Sequence, residues 1–156
     1  MNIRLIAVGT RMPAWVAEGF AEYARRMPRE CALQLVEIAA EPRPKHADIA
    51  RIKTAECARL MAAAPKGSKV VALDEGGRAW TTRQLADQLD GWLAGGRDLA
   101  LLVGGPDGLD APCLDNSEQR WSLSPLTLPH PLVRVLVAEQ LYRAWSLLQG
   151  HPYHRD

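Results

Sequence analysis

A chain of 156 residues with 47% hydrophobic residues and a net charge of +1 is long enough for one domain with its own core, and too apolar for a disordered chain. The near-zero charge excludes a global basic field, so a nucleic-acid partner would have to be drawn by a local patch. No apolar run reaches the roughly 18 residues of a membrane span, and MNIRLIAVGT has no h-region followed by a cleavage site.

Asn2–Val8 reads as a first strand closed by Gly9. Pro13 then suits a helical first turn, and Val16, Phe20, Tyr23 and Met27 follow at helical spacing until Pro28 ends the helix. Leu33–Ile38 is a second strand and EPRPK (41–45) a basic, proline-bearing loop. Ala47–Ala63 is an alanine-rich helix broken at 65–67. Lys69–Asp74 is a third strand leading into a turn at Glu75–Gly77. Thr81 and Gln84 stand in capping-box register, and Leu85, Leu89 and Trp92 give the next helix its apolar face before Gly95 and Gly96 stop it. Asp98–Val103 is a fourth strand. A short helical stretch around Ala111–Gln119, a fifth strand or extended loop at Trp121–Leu128, and a long last helix, Leu132–Gln149, complete the chain. Alternating strands and helices, with third and fourth strands almost continuously apolar, predict an α/β fold with a mostly parallel sheet flanked by helices. No repeat or linker divides residues 1–156, so a single domain is expected.

The three cysteines, Cys31, Cys57 and Cys113, are separated and odd in number. They suggest neither a disulfide framework nor a zinc motif, and no metal is expected. Reduced thiols fit a soluble cytoplasmic protein.

Four segments could carry chemistry. The fourth strand runs into GGPDG, where Gly104, Gly105 and Gly108 would let a ligand approach the backbone at the carboxyl edge of the sheet; a plain tight turn reads as well. The pattern is not G-x-G-x-x-G, which weighs against a nucleotide-dependent oxidoreductase. Leu123–Leu128 (LSPLTL) sets two hydroxyls, Ser124 and Thr127, among leucines that could cover a flat heterocycle. Pro125 removes a ladder donor, so an edge strand is the competing reading. The last helix is apolar in several directions, with Val133, Val137, Leu141, Ala144 and Leu148 on one stripe. It could pack on the sheet on one side and a second subunit on the other, or be covered within one chain. The tail, HPYHRD, holds two imidazoles, a phenol and a guanidinium, groups suited to proton handling, stacking and phosphate contact.

From IRLIAVGTRMPAWV through VVALDEGG and LLVGGPDGL to WSLSPLTLPHPLVRVLVAEQLYRAW and HPYHR, the chain resembles the RlmH family. Its members methylate N3 of a pseudouridine in large-subunit ribosomal RNA. The resemblance implies a SPOUT fold with a C-terminal trefoil knot, S-adenosylmethionine as methyl donor, and a homodimer. With no added RNA-binding domain, such an enzyme would meet its rRNA within the assembled ribosome. Carried over by position, the cofactor site would comprise Leu73, Gly104 and the stretch Leu123, Ser124, Pro125, Leu126, Thr127 and Leu128, with Gly105 added from the glycine reading.

For the chemistry, His154 is the first candidate for the base that takes the imino proton. Arg155 could contact phosphate or stabilise negative charge on the ring, and Tyr153 could stack on it. Tyr142 and Arg143 on the last helix are alternatives. His130, between two prolines, reads as shaping a turn. RNA contacts would fall to Arg43, Lys45 and His46, with Arg4, Arg11 and Arg155. A ribosome-associated binding protein without catalysis is the alternative from another class.

Overall fold

The computed structural model describes residues 1–155. In chain order the elements are β1 (Ile3–Val8), α1 (Ala14–Ala24), a 3-10 turn (Arg29–Cys31), β2 (Leu33–Ile38), α2 (Ile49–Ala63), β3 (Lys69–Ala79), α3 (Thr82–Gly95), β4 (Leu99–Val103), α4 (Ala111–Asp115), β5 (Gln119–Ser122) and α5 (His130–Leu148). The five strands form one sheet in the order β2-β1-β4-β3-β5, with every pairing parallel. The expected α/β architecture with a parallel sheet is what the chain adopts.

Strand side chains alternate between faces, and here both faces are covered. Ile3, Leu5 and Ala7 of β1, with Leu101 and Val103 of β4, pack beneath Phe20 of α1, Leu85 and Leu89 of α3, and Val137 and Leu141 of α5. Ile6 and Val8, with Ala100 and Leu102, pack on the other side against Cys57 and Leu60 of α2 and Cys113 of α4. This two-sided burial is why β4 reads as an unbroken apolar run. Leu101 and Leu102 are both at 0% exposure, so truncating either to Ala would cost about 2–5 kcal/mol. Among the described residues no helix is long and apolar enough to cross a membrane.

The helix signals hold where side chains satisfy backbone groups. Thr81 Oγ1 accepts from Gln84 N at 3.1 Å, and Gln84 Oε1 accepts from Thr81 N at 2.9 Å, the reciprocal box the spacing predicts. Gly96 ends α3 in the left-handed region at φ 70°. Asp48 caps α2, its carboxylate accepting from Arg51 N, which moves that start two residues past the expected Ala47. Helix α1 ends at Ala24, before Met27 and Pro28.

Three boundaries differ more. The expected turn at Glu75–Gly77 does not end β3. The strand runs on to Ala79, with Leu73 and Arg78 both registered on Trp121 and the residues between them looped out. The return depends on Gly77, where a Cβ would lie 2.6 Å from the Arg120 carbonyl carbon. Helix α4 stops at Asp115, short of the expected Gln119, because Gln119 belongs to β5. Strand β5 ends at Ser122, so 123–129 is loop; Pro125 lies outside any ladder, as its missing donor requires.

Candidate active site

A crevice of about 750 Å³ opens at the carboxyl ends of β3, β4 and β5, beside the first turn of α5. That volume is typical of a site for a small organic ligand, and the position is where open parallel sheets bind one. Leu73, Gly104, Gly105, Leu123, Ser124, Leu126, Thr127 and Leu128 all line it. The fold thus brings together eight of the nine positions expected to hold a cofactor. Pro125, the ninth, is exposed and not on the wall.

Gly104 gives the crevice its floor. A Cβ there would sit 2.7 Å from the Gly108 carbonyl carbon and 2.8 Å from its oxygen, so only glycine lets the GGPDG loop close over the strand end. The 122–128 loop is held by its own hydroxyls: Ser122 Oγ donates to Ser124 O at 3.1 Å, and Leu126 N donates to Ser124 Oγ at 2.9 Å. That turn leaves Leu126 71% exposed at the mouth.

Arg43 anchors the GGPDG loop from behind. Its guanidinium donates to both Glu56 carboxylate oxygens, at 2.9 and 3.0 Å, and its Nε donates to Asp107 at 2.8 Å. Glu56 is 1% exposed, so its charge depends on this pairing. Arg43, expected among the RNA contacts, is therefore committed to the loop. Of the other RNA candidates, Arg4 pairs with Asp98 at 3.4 Å, while Arg11, Lys45, His46 and Arg155 are exposed.

Sequence reasoning missed the first turn of α5. Arg134, at 0% exposure, donates to Val8 O at 3.1 Å, Gly9 O at 2.9 Å and Glu37 at 2.6 Å, pinning the helix start to the ends of β1 and β2. This places His130 on the crevice wall, where the sequence reading assigned it only a turn. Its Nδ1 is buried and has no hydrogen-bond partner. Burial, with the charges of Arg134 and Arg43 behind it, holds the imidazole below its ordinary value, hence neutral at pH 7. Lys53, Asp74 and Glu75 also line the crevice. Asp74 and Glu75 could be found only by knowing that the backbone loops out after Leu73.

The tail does not reach this crevice in its own chain: among the described residues, none from 151 to 155 lines it. It folds back on α5 instead. Tyr153 OH donates to Glu139 at 3.0 Å, its ring meets Tyr142 edge-on at 4.7 Å, and the Arg143 guanidinium lies over it, also at 4.7 Å. Arg143 pairs with Glu139 at 2.6 Å and approaches His154 Nδ1 at 3.4 Å. Burial and the Glu139 hydrogen bond push the Tyr153 phenol up to about 12, so it is a proton donor at neutral pH and not a base. The five residues expected to handle the target, Tyr142, Arg143, Tyr153, His154 and Arg155, thus stay together, with Arg155 exposed beside them. From His130 to Glu139 the helix axis advances ~14 Å, which separates that group from the crevice.

The fold also assembles what sequence spacing could not suggest. Cys57, Asp110 and Cys113 place their ligating atoms within 4.8 Å of one another, with Cys113 on the short helix that Asp110 caps. The hydrogen bond between the thiols raises Cys57 and lowers Cys113. The third cysteine, Cys31, is buried alone in the other cluster and pushed up to about 11.

An all-parallel sheet with a glycine-floored, leucine-walled crevice at its carboxyl edge defines an α/β protein with a crevice of cofactor size. Comparison with known proteins identifies the family. The chain matches the family model described as "Predicted SPOUT methyltransferase" over residues 1–154, and it belongs to that family of methyltransferases. It is 62% identical over 156 residues to a protein of Thioalkalivibrio sulfidiphilus (strain HL-EbGR7) named ribosomal RNA large subunit methyltransferase H, covering 100% of both chains. A protein of the same name from Hydrogenovibrio crunogenus (strain DSM 25203 / XCL-2) is 55% identical, again over 100% of both. Among solved structures, a methylase family protein from Haemophilus influenzae Rd KW20 superposes with a TM-score of 0.54 at 14% identity, over 99% of this chain and 70% of that one. Another, from Neisseria gonorrhoeae, gives 0.53 at 14%, over 99% and 86%. At that identity the likeness concerns the fold.

Proposed function

We propose that the protein methylates N3 of a pseudouridine in large-subunit ribosomal RNA, using S-adenosylmethionine, as a cytoplasmic homodimer acting on the assembled ribosome. The observation that carries this reading is the crevice itself: eight of the nine positions expected to hold the cofactor converge on it, in a chain whose full-length relatives bear the name of such an enzyme. The residues present fit the cofactor. Leu73, Leu123, Leu126 and Leu128 offer apolar cover for a purine, Gly104 and Gly105 offer approachable backbone, and the orphaned His130 Nδ1 offers a polar group without a protein partner. Family membership also implies the trefoil knot.

S-adenosylmethionine supplies, when bound, an electrophilic methyl group on a sulfonium. The protein's share is to align it with the imino nitrogen, to exclude water, and to take up or stabilise the proton that nitrogen must lose. Within this reading His154 accepts that proton, Arg155 contacts phosphate or ring charge, and Tyr153, with Tyr142 and Arg143, orients the base. Because the tail lies against its own α5, these groups would serve the crevice of a second copy. The half-buried Leu132, Val135, Leu136 and Leu147 of α5 supply apolar surface for that pairing.

Mass spectrometry of large-subunit RNA from a gene-deletion strain tests the activity. The expected result is loss of one methyl from a pseudouridine, restored by the wild-type gene. Unchanged RNA would reject the reading. Calorimetry with S-adenosylmethionine separates the enzyme from a non-catalytic ribosome-binding protein, which would give no heat of binding.

A further inference from the structure

We infer that a second cavity, at the β5 edge of the sheet, is a binding site for one unpaired base of the substrate RNA, guanine fitting best. The inference rests on the functional reading above and names a contact that reading leaves open. The cavity has a volume of about 230 Å³ and is lined by Arg78, Trp80, Gln84, Asp87, Gln88 and Gln119. It is smaller than the 300–1,000 Å³ of cofactor-sized pockets, and matches a single heterocycle better than a whole nucleotide cofactor.

Its wall is an aromatic platform held from behind. Trp80 is half-buried and stacks on Trp121, with ring centroids 5.5 Å apart and planes 28° from parallel. Trp92 meets it edge-on at 6.0 Å. Trp121 is 2% exposed and is itself a wall of the large crevice, so one indole pair backs both cavities. An RNA strand whose target base enters the crevice would bring neighbouring bases to this edge, and aromatic faces are how proteins hold splayed RNA bases.

The polar rim has a definite donor and acceptor pattern. Trp92 Nε1 donates to Gln119 Oε1 at 2.8 Å, and Gln119 Nε2 donates to Gln88 Oε1 at 2.8 Å. Gln84 Oε1 accepts from Thr81 N. These bonds fix which end of each amide is which. Gln84 and Gln88 keep their amino groups as donors, while each amide oxygen has one lone pair already taken. Arg78 adds further donors, and Asp87 supplies the carboxylate acceptor. Guanine presents acceptors at O6 and N7, and its N1–H and N2–H edge matches one carboxylate. A uracil has only N3–H on that edge and would leave one Asp87 carboxylate oxygen without a partner.

The test uses steady-state methylation of ribosomes from the deletion strain. Trp80→Leu and Asp87→Ala should each raise KM for ribosomes about tenfold, the effect of losing one stacked or paired base. S-adenosylmethionine affinity of Asp87→Ala, read by calorimetry, should stay within about twofold, and Trp80→Tyr, which restores a ring face, should recover most of the Trp80→Leu loss. An unchanged KM in both variants overturns the inference. So does a parallel loss of cofactor affinity in Asp87→Ala, or a Trp80→Tyr enzyme as impaired as Trp80→Leu, since both would mark a packing role. A second readout is independent of methylation: GMP should shift the Trp80 indole N–H resonance more than UMP does. Absence of that shift overturns the base site, whereas wild-type protein that shifts with GMP yet leaves ribosomes unmethylated upholds it and sinks the functional reading instead.

Discussion

Replacing Arg43 by Ala separates a loop anchor from an RNA contact. Glu56 is 1% exposed and receives two guanidinium hydrogen bonds at 2.9 and 3.0 Å, while Asp107 receives a third at 2.8 Å. Removing one partner of a buried ion pair costs about 3–5 kcal/mol because the other charge stays buried. The Arg43 side chain keeps 25% exposure, so water reaches part of the gap and the lower end, about 3 kcal/mol, is the expected loss. At about 2–4 °C per kcal/mol for a domain of this size, the melting temperature should fall by about 6–12 °C. The GGPDG loop would also lose the tether that Asp107 gives it to Arg43, so S-adenosylmethionine affinity should fall in calorimetry. An RNA contact would behave differently: stability would hold, and the slope of log affinity against log salt would shrink by about one unit. A variant that melts within about 2 °C of wild type refutes the anchoring argument.

Other outcomes follow from the same geometry. Gly104→Ala places a Cβ 2.7 Å from the Gly108 carbonyl carbon, so the loop must shift; a folded protein with at least tenfold weaker S-adenosylmethionine binding is expected, and wild-type affinity would count against the crevice floor as drawn. His130 titrates below 6.5 in the folded chain, so the unfolded chain takes the proton first and stability is lost as pH falls below 6.5. Urea midpoints at descending pH should show that loss, and His130→Asn, which has no proton to gain, should flatten it; equal slopes in the two proteins would contradict the assignment. Mixed dimers of a subunit lacking 151–156 and a Gly104→Ala subunit should retain about half the wild-type activity, since one composite site keeps both parts and the other loses both. Inactive mixed dimers would place the tail in cis.

Much of the fold was legible because its determinants are local. The two-sided burial of β4 writes itself as DLALLV, and the reciprocal bonds of Thr81 and Gln84 require only a three-residue spacing. The errors cluster where one segment's conformation depends on another far away in sequence. Strand β3 runs past its turn signal because Arg78 and Ala79 find partners in Trp121 and Ser122. Helix α4 is cut short for the related reason that Gln119 pairs with Val71. Neither preference is visible in the segment itself.

The site follows the same division. Most of the crevice lining was readable, apart from Leu73, because glycines at a strand end and a proline inside a leucine run carry their reasons in their own side chains. The placement of Arg43 and His130 was not legible because it depends on distant partners: Glu56 and Asp107 hold Arg43, and Arg134, bonded to Val8 and Gly9, decides where His130 sits. The tail presents the sharpest case. Its composition pointed to chemistry, yet in its own chain it is docked on Glu139, Tyr142 and Arg143, away from the crevice. A tail anchored that firmly cannot serve its own crevice without breaking those contacts. A second copy presented across α5 could receive it as it stands, already oriented by Glu139 and Arg143. The ordered tail therefore favours composite sites shared between subunits over a tail that swings within one chain.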